Sequence, residues 1–184
     1  VECDSFPTHD GRGGMNCRFA LVLEADHILL QGQPAADALE AYRALAMTLS
    51  SAETLGATQA ALDTTVDYTK QRVQFGQPLA SFQALQHRMS NMLIQTELTR
   101  SLIYAACNAA DSGREDAARF ARAAKVKATT VGRKVSQEAI QLHGGIATTD
   151  EYIVGHFFKR ITALESWVCS KGEALKEFMA LSPS

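Results

Sequence analysis

Residues 68–88, YTKQRVQFGQPLASFQALQHR, decide how the chain folds, because two long helical patterns meet there. Before this segment, Tyr42, Leu45, Leu49, Ala52, Leu55, Gln59, Leu62 and Val66 recur at three- and four-residue steps. They form one stripe along a helix of about 30 residues that begins near Ala36. After it, Phe82, Leu85, Met89, Met92, Thr96, Ile103 and Ala106 form a second stripe, which stops near Gly113. Inside the segment, Gly76 can take the left-handed conformation that ends a helix, and Pro78 keeps the helix from resuming at once. Arg72 falls in the last turn of the first helix, where a cation complements the negative end of the dipole. Capping and burial tendencies send Phe75 inward as a staple. A short connection between long helices makes them antiparallel neighbours.

Further on, Ala117, Phe120, Ala124, Ala128, Val131, Val135 and Leu142 mark a third helix that ends at Gly144-Gly145. Its small residues, Ala117, Ala121, Ala124, Ala128 and Gly132, allow close packing. A fourth helical region is expected from Thr148-Thr149-Asp150-Glu151, where Thr148 and Glu151 have capping-box spacing. It runs to Met179 with a break near Cys169. The expected fold is all-α, an up-down four-helix bundle over residues 36–184.

Residues 1–35 differ. "HDGRGGMN" is a glycine-rich loop, and in "CRFALVLEADHILL" Phe19, Leu21 and Leu23 alternate before a turn at Glu24-Ala25-Asp26. This predicts a β-hairpin, and two strands alone are marginal in water, so the hairpin is expected to be the end of an upstream β-domain. With 46% hydrophobic and 21% charged residues and a net charge of −2, the chain can bury a core but carries no basic field for nucleic acid. No apolar run approaches the ~18 residues of a membrane span. The four cysteines and five histidines are scattered, which predicts reduced thiols in a cytoplasmic setting and no metal site.

Two stretches, "TVDYTKQRVQFGQPLASFQALQHRMSNM" and "AIQLHGGIATTDEYIVGHFFKR", resemble the C-terminal half of acyl-CoA dehydrogenases. The motifs are R-x-x-F-G-x-x-[LI]-x-x-x-Q and Q-x-x-G-G-x-G-x-x-x-E-[YF], in order and separated by a helix pair. The resemblance is strong over residues 56–160, and "EYIVGHFFKRITALE" is most similar to the small subunits of pimeloyl-CoA-type enzymes. One departure is Ala147, where the family usually keeps a third glycine. The resemblance implies FAD held across a subunit interface. Arg72 would bond the pyrophosphate with its planar fork, and Gln74 and Phe75 would lie along the adenosine side. Gln83 would support that region, while Gln141, Gly144 and Gly145 would meet the dinucleotide from the other side, where glycine lets backbone N–H groups approach phosphate.

The family's reaction is α,β-dehydrogenation of an acyl-CoA thioester, and it needs a positioned carboxylate to take the α-proton. The usual position falls on Val168 in "LESWVCSKG", and the minority position, on the first long helix, falls on Ala46. Neither residue can accept a proton. Glu165 is the nearest alternative and fits a solvent-facing helix carboxylate better; Glu53 and Glu40 fit ordinary charges, and Trp167 a packing residue. Two expectations follow from the resemblance. In one, the chain contributes to FAD sites in a homo- or hetero-tetramer, a partner subunit supplies the base, and an electron-transfer partner receives the electrons. In the other, the chain is a structural, non-catalytic member of the fold.

Overall fold

The computed structural model describes residues 1–181. Helix α1 (Gln33–Gln71) starts after Gly32, with Pro34 in its first turn, and is the longest element. A minute hairpin, β3 (Val73–Gln74) and β4 (Gln77–Pro78), leads to α2 (Gln83–Asp111). Helices α3 (Ala117–His143), α4 (Ile153–Ser166) and α5 (Lys171–Ala180) follow. Ahead of the helices stands one antiparallel hairpin, β1 (Glu2–Pro7) with β2 (Gly13–Arg18).

Polar contacts fix the helix directions. Gln59 of α1 accepts from Arg100 of α2 at 2.7 Å, and the Thr69 hydroxyl donates to Met89 sulfur at 3.3 Å, so α1 and α2 are antiparallel. Helices α2 and α3 are antiparallel too, through Arg88–Glu138 and Lys127–Gln95. Helices α1 and α3 therefore run parallel: Arg122 pairs with Glu40 at 2.6 Å near one end, and Tyr68 meets His143 at the other.

The α1–α3 contact is built from small residues. Ala121, Ala124, Ala128, Ser136 and Ala139 of α3 are buried, and a Cβ on Gly132 would fall 2.8 Å from the Thr54 methyl. The face of α1 opposite them is rich in hydroxyls: Ser51, Thr54, Thr58 and Thr65 are buried. Each hydroxyl donates to the carbonyl four residues back, at 2.6–2.8 Å, so no polar group is left unsatisfied by this burial. Three apolar clusters fill the rest, the largest around Leu62, Met92, Val131, Val135 and Val154.

Several sequence expectations need correction. In the first stripe Leu55 and Leu62 are buried, but Tyr42, Leu45 and Leu49 are exposed. Hydropathy alone cannot see that in-helix bonding makes threonine and serine good inward residues. Residues 13–16, expected in the glycine-rich loop, belong to β2 and pair with β1, whereas Phe19, Leu21 and Leu23 are exposed and form no strand, with no pairing partner among the described residues. The Thr148–Glu151 capping box does not form. Gly144–Thr148 is a 3-10 turn whose Thr148 and Thr149 hydroxyls bond carbonyls within it, and α4 starts only at Ile153. A capping box does occur at Ser170 and Glu173, opening α5 after the break expected near Cys169.

The β1–β2 hairpin is held to the bundle by charge. Arg160 of α4 pairs with Asp10 in the hairpin turn and with Glu53 of α1, each at 2.7 Å, and Arg12 reaches Glu53 at 3.3 Å. The Thr8 hydroxyl and the Arg160 guanidinium hold the Asp10 carboxyl well below the usual carboxylate range. A depressed carboxylate contributes stability that is complete above its unfolded value, about 3.9, and is lost as pH falls toward the folded one. Urea midpoints measured from pH 5 downward should therefore fall more steeply for the native chain than for Asp10→Asn. Parallel profiles would show that Asp10 carries no such linkage.

Candidate functional site

Two turns lie at the same end of the bundle. At the first, Arg72 caps α1: its N–H donates to Tyr68 O at 2.8 Å, and its carbonyl accepts from Leu79 at 2.9 Å. The ladder pairs Val73 with Pro78 and Gln74 with Gln77, leaving Phe75-Gly76 as a two-residue loop. Both loop residues have positive φ, 53° and 80°, as a type I′ turn requires. Gly76 thus ends this turn, not the helix. Asn-Gly is the favoured pair there, and a phenylalanine held at positive φ costs about 1 kcal/mol. The ring lies outside: Phe75 is 90% exposed and meets the Phe82 ring edge-on. The inward staple is not found. Arg72, Gln74 and Gln83 are exposed, and among the described residues the Arg72 guanidinium has no hydrogen bond or ion pair.

At the second turn α3 ends in Gly144, with φ 69°. Gly145 has no positive φ, and a Cβ there would meet nothing within 4 Å, so the chain's own packing does not require glycine at that position. Gln141, Gly144 and Gly145 are exposed, whereas the neighbouring His143 is buried. His143 Nδ1 lies 2.8 Å from Ala139 O, and a carbonyl there calls for a proton on that nitrogen. Burial pushes the imidazole pKa down, which favours the neutral ring. The ring stacks on Tyr68 at 4.3 Å and tilts against Tyr152, and the Tyr68 hydroxyl donates to His143 O at 3.3 Å. Tyr68 is one helical turn before Arg72. This aromatic contact sets the arginine turn beside the glycine turn, and sequence reading missed it; the only hint was an aromatic residue near each helix end.

A third feature is a shelf between α1 and the loop after α4, a cavity of about 260 Å³ lined by Tyr42, Leu45, Ala46, Leu49, Glu53 and Trp167. Ala46 and Trp167, the residue before Val168, thus line one shelf, so the two positions that the family resemblance gives a base lie at or beside it. The carboxylates weighed as a base are engaged: Glu53, on the lining, is bound by Arg160 and Arg12, while off the lining Glu165 turns to Arg133 at 3.1 Å and Glu40 pairs with Arg122.

The shelf loop rests on a buried lysine. Lys125 of α3 donates its amine to Leu164 O at 2.7 Å, which also accepts from the Trp167 N–H, and to Trp167 O at 2.9 Å, just past the end of α4. Burial pushes its pKa down. The signal in the sequence was a cation among the small residues Ala121, Ala124 and Ala128, and it is shared with Arg122, which is buried one turn earlier. Val168 follows with φ 71°, and Arg160 lies over the Trp167 ring at 5.5 Å.

Two outcomes are expected. Lys125→Met should shift the fluorescence of Trp167, the only tryptophan, while helical circular dichroism stays within error; an unchanged emission would show that the loop does not depend on the amine. Phe75→Asn should raise unfolding stability by about 1 kcal/mol by relieving the positive φ, and a decrease in chemical denaturation would contradict the strain argument.

The family described as "Acyl-CoA dehydrogenase, C-terminal domain" matches residues 38–168. Acyl-CoA dehydrogenase IpdE2 of Mycobacterium tuberculosis is 39% identical over 131 residues, covering 71% of this chain and 39% of that protein. The structure of butyryl-CoA dehydrogenase from Megasphaera elsdenii superposes with a TM-score of 0.71 at 31% identity, over 73% of this chain and 35% of that one. The Tcur3481-Tcur3483 steroid ACAD superposes with a TM-score of 0.82 at 26% identity, over 98% of this chain and 48% of that one. The chain spans well under half the length of the curated relatives it matches. By its helical core and by the match over residues 38–168, the chain belongs to the acyl-CoA dehydrogenase family, as a C-terminal domain.

Proposed function

We propose that this chain is the C-terminal domain of a flavin-dependent acyl-CoA dehydrogenase and lends its two adjoining turns to an FAD shared between subunits. The observation that carries this reading is the unpartnered Arg72 beside a strained, outward Phe75, with a glycine turn alongside that packing does not require. These residues fit a dinucleotide. Arg72 would bond its pyrophosphate, Phe75 would offer a ring face toward the adenosine with Gln74, and Gln83 would support the hairpin. Gln141, Gly144 and Gly145 would present side-chain and backbone donors from the other turn. The flavin, when bound, supplies the acceptor for hydride from the substrate β-carbon.

The shelf would take part in acyl-CoA binding, with Tyr42, Leu45 and Leu49 as an apolar wall from which water is excluded. The α-proton must go to a carboxylate, and Glu53, the carboxylate on the lining of this shelf, is held by Arg160 and Arg12. A base from a homologous partner subunit answers that need, and the steroid ACAD named as a Tcur3481-Tcur3483 pair is in keeping with it. Exposed Leu93, Ile94 and Leu98 on α2 form an apolar surface suited to tetramer contacts. The hairpin of residues 2–18 would be the edge of the preceding β-domain, with the boundary near residue 35, and an electron-transfer partner would reoxidise the flavin. No helix among the described residues is long and apolar enough to cross a membrane. The same engaged carboxylates favour, as the second reading, a subunit that serves assembly alone.

The test uses the full-length protein purified with its partner subunits. Arg72→Gln should weaken FAD retention about 10- to 100-fold, the loss of one charge-assisted hydrogen bond. Gly145→Ala should leave the melting temperature unchanged yet lower FAD content. Wild-type flavin content in both variants would exclude the cofactor role and leave the assembly reading.

A further inference from the structure

Cys3 and Cys17, scattered in the sequence, face one another in the β1–β2 ladder. The hydrogen-bond pattern places them in a particular kind of pair. Pro7 has no N–H, so Pro7↔Gly13 cannot exchange two ladder bonds, and the neighbouring Thr8 N–H bonds Arg12 O at 2.8 Å. Every second pair from there, Ser5↔Met15 and then Cys3↔Cys17, falls in the same non-hydrogen-bonded class. Opposed Cα atoms in that class are about 4.5 Å apart, with side chains close together, inside the roughly 4.4–6.8 Å that a disulfide spans. The two thiols are 3.1 Å apart, sulfur to sulfur, and both residues are exposed. The other cysteines differ: Cys169 is buried, Cys107 is half-buried, and neither has a cysteine partner among the described residues.

We propose that Cys3 and Cys17 form a redox dithiol whose substrate class is the small-molecule disulfide, with a cross-strand disulfide as product. One thiolate attacks the S–S bond of the small disulfide, forming a mixed disulfide and releasing one thiol. The opposed thiolate then attacks the protein-bound sulfur, closing the Cys3–Cys17 bond and releasing the second thiol. Two protein thiols are oxidised and one small disulfide is reduced. The bridge would tie together the strands whose turn carries Asp10, the residue that docks on Arg160 and thereby near Trp167. This inference does not depend on the flavin reading.

The full-length protein is equilibrated with glutathione disulfide, quenched, unfolded, alkylated at free thiols and mapped by peptide mass. The expected product is a Cys3–Cys17 linked pair lacking two hydrogens, with Cys107 and Cys169 alkylated, and dithiothreitol should reverse it. Cys3→Ser should instead retain one glutathione on Cys17, because no resolving thiol remains. Wild-type protein that keeps both thiols alkylatable, or that accumulates glutathione on Cys3 or Cys17, would overturn the proposal.

Discussion

The closeness of α1 to α3 is the constraint on which the other features depend. Gly132 has no side chain where Thr54 and Thr58 press against α3, and Ile161 of α4 closes over the same point. Because these two helices run parallel, their C-terminal ends come out together. Tyr68 can then stack on His143, and the arginine turn and the glycine turn become neighbours although some seventy residues separate them. A bulky residue at Gly132 would force displacement of a tightly packed interface, and interiors tolerate such overpacking poorly.

The core is unusual in how much of it is polar. Buried threonines and serines on α1 satisfy their hydroxyls within their own helix, so they act toward α3 as small, branched apolar groups. Lys125 works differently: its amine reaches across to α4 and holds the carbonyls that precede the shelf loop. Loss of that donor would leave Trp167 O without its partner and Leu164 O with the Trp167 N–H alone, which ties the shelf loop to a residue that does not line it. The Asp10–Arg160–Glu53 cluster ties the N-terminal hairpin to the same region by charge.

Strain and openness are concentrated at the turns. Phe75 holds a positive φ and exposes its ring, and Gly145 occupies a position that the chain itself leaves empty. Local costs of this kind persist when the surrounding structure enforces them, and they cluster at sites that meet a ligand or partner.

The sequence by itself determined the helices, their order and the family, because hydrophobic period, glycine breaks and the two motifs are local properties. The two motifs also singled out Arg72, Gln74, Phe75, Gln83, Gln141, Gly144 and Gly145, all of them exposed in the structure, although capping and burial tendencies had sent Phe75 inward. Only the tertiary structure decided which face of α1 is inward, since Thr54 or Leu49 is chosen by what α3 presents and not by hydropathy. It alone paired Cys3 with Cys17, seated Lys125 under the shelf loop and joined the two turns through Tyr68 and His143. Each of these is a contact between distant segments, and no local pattern in the chain encodes what will lie across from a residue once the helices have packed.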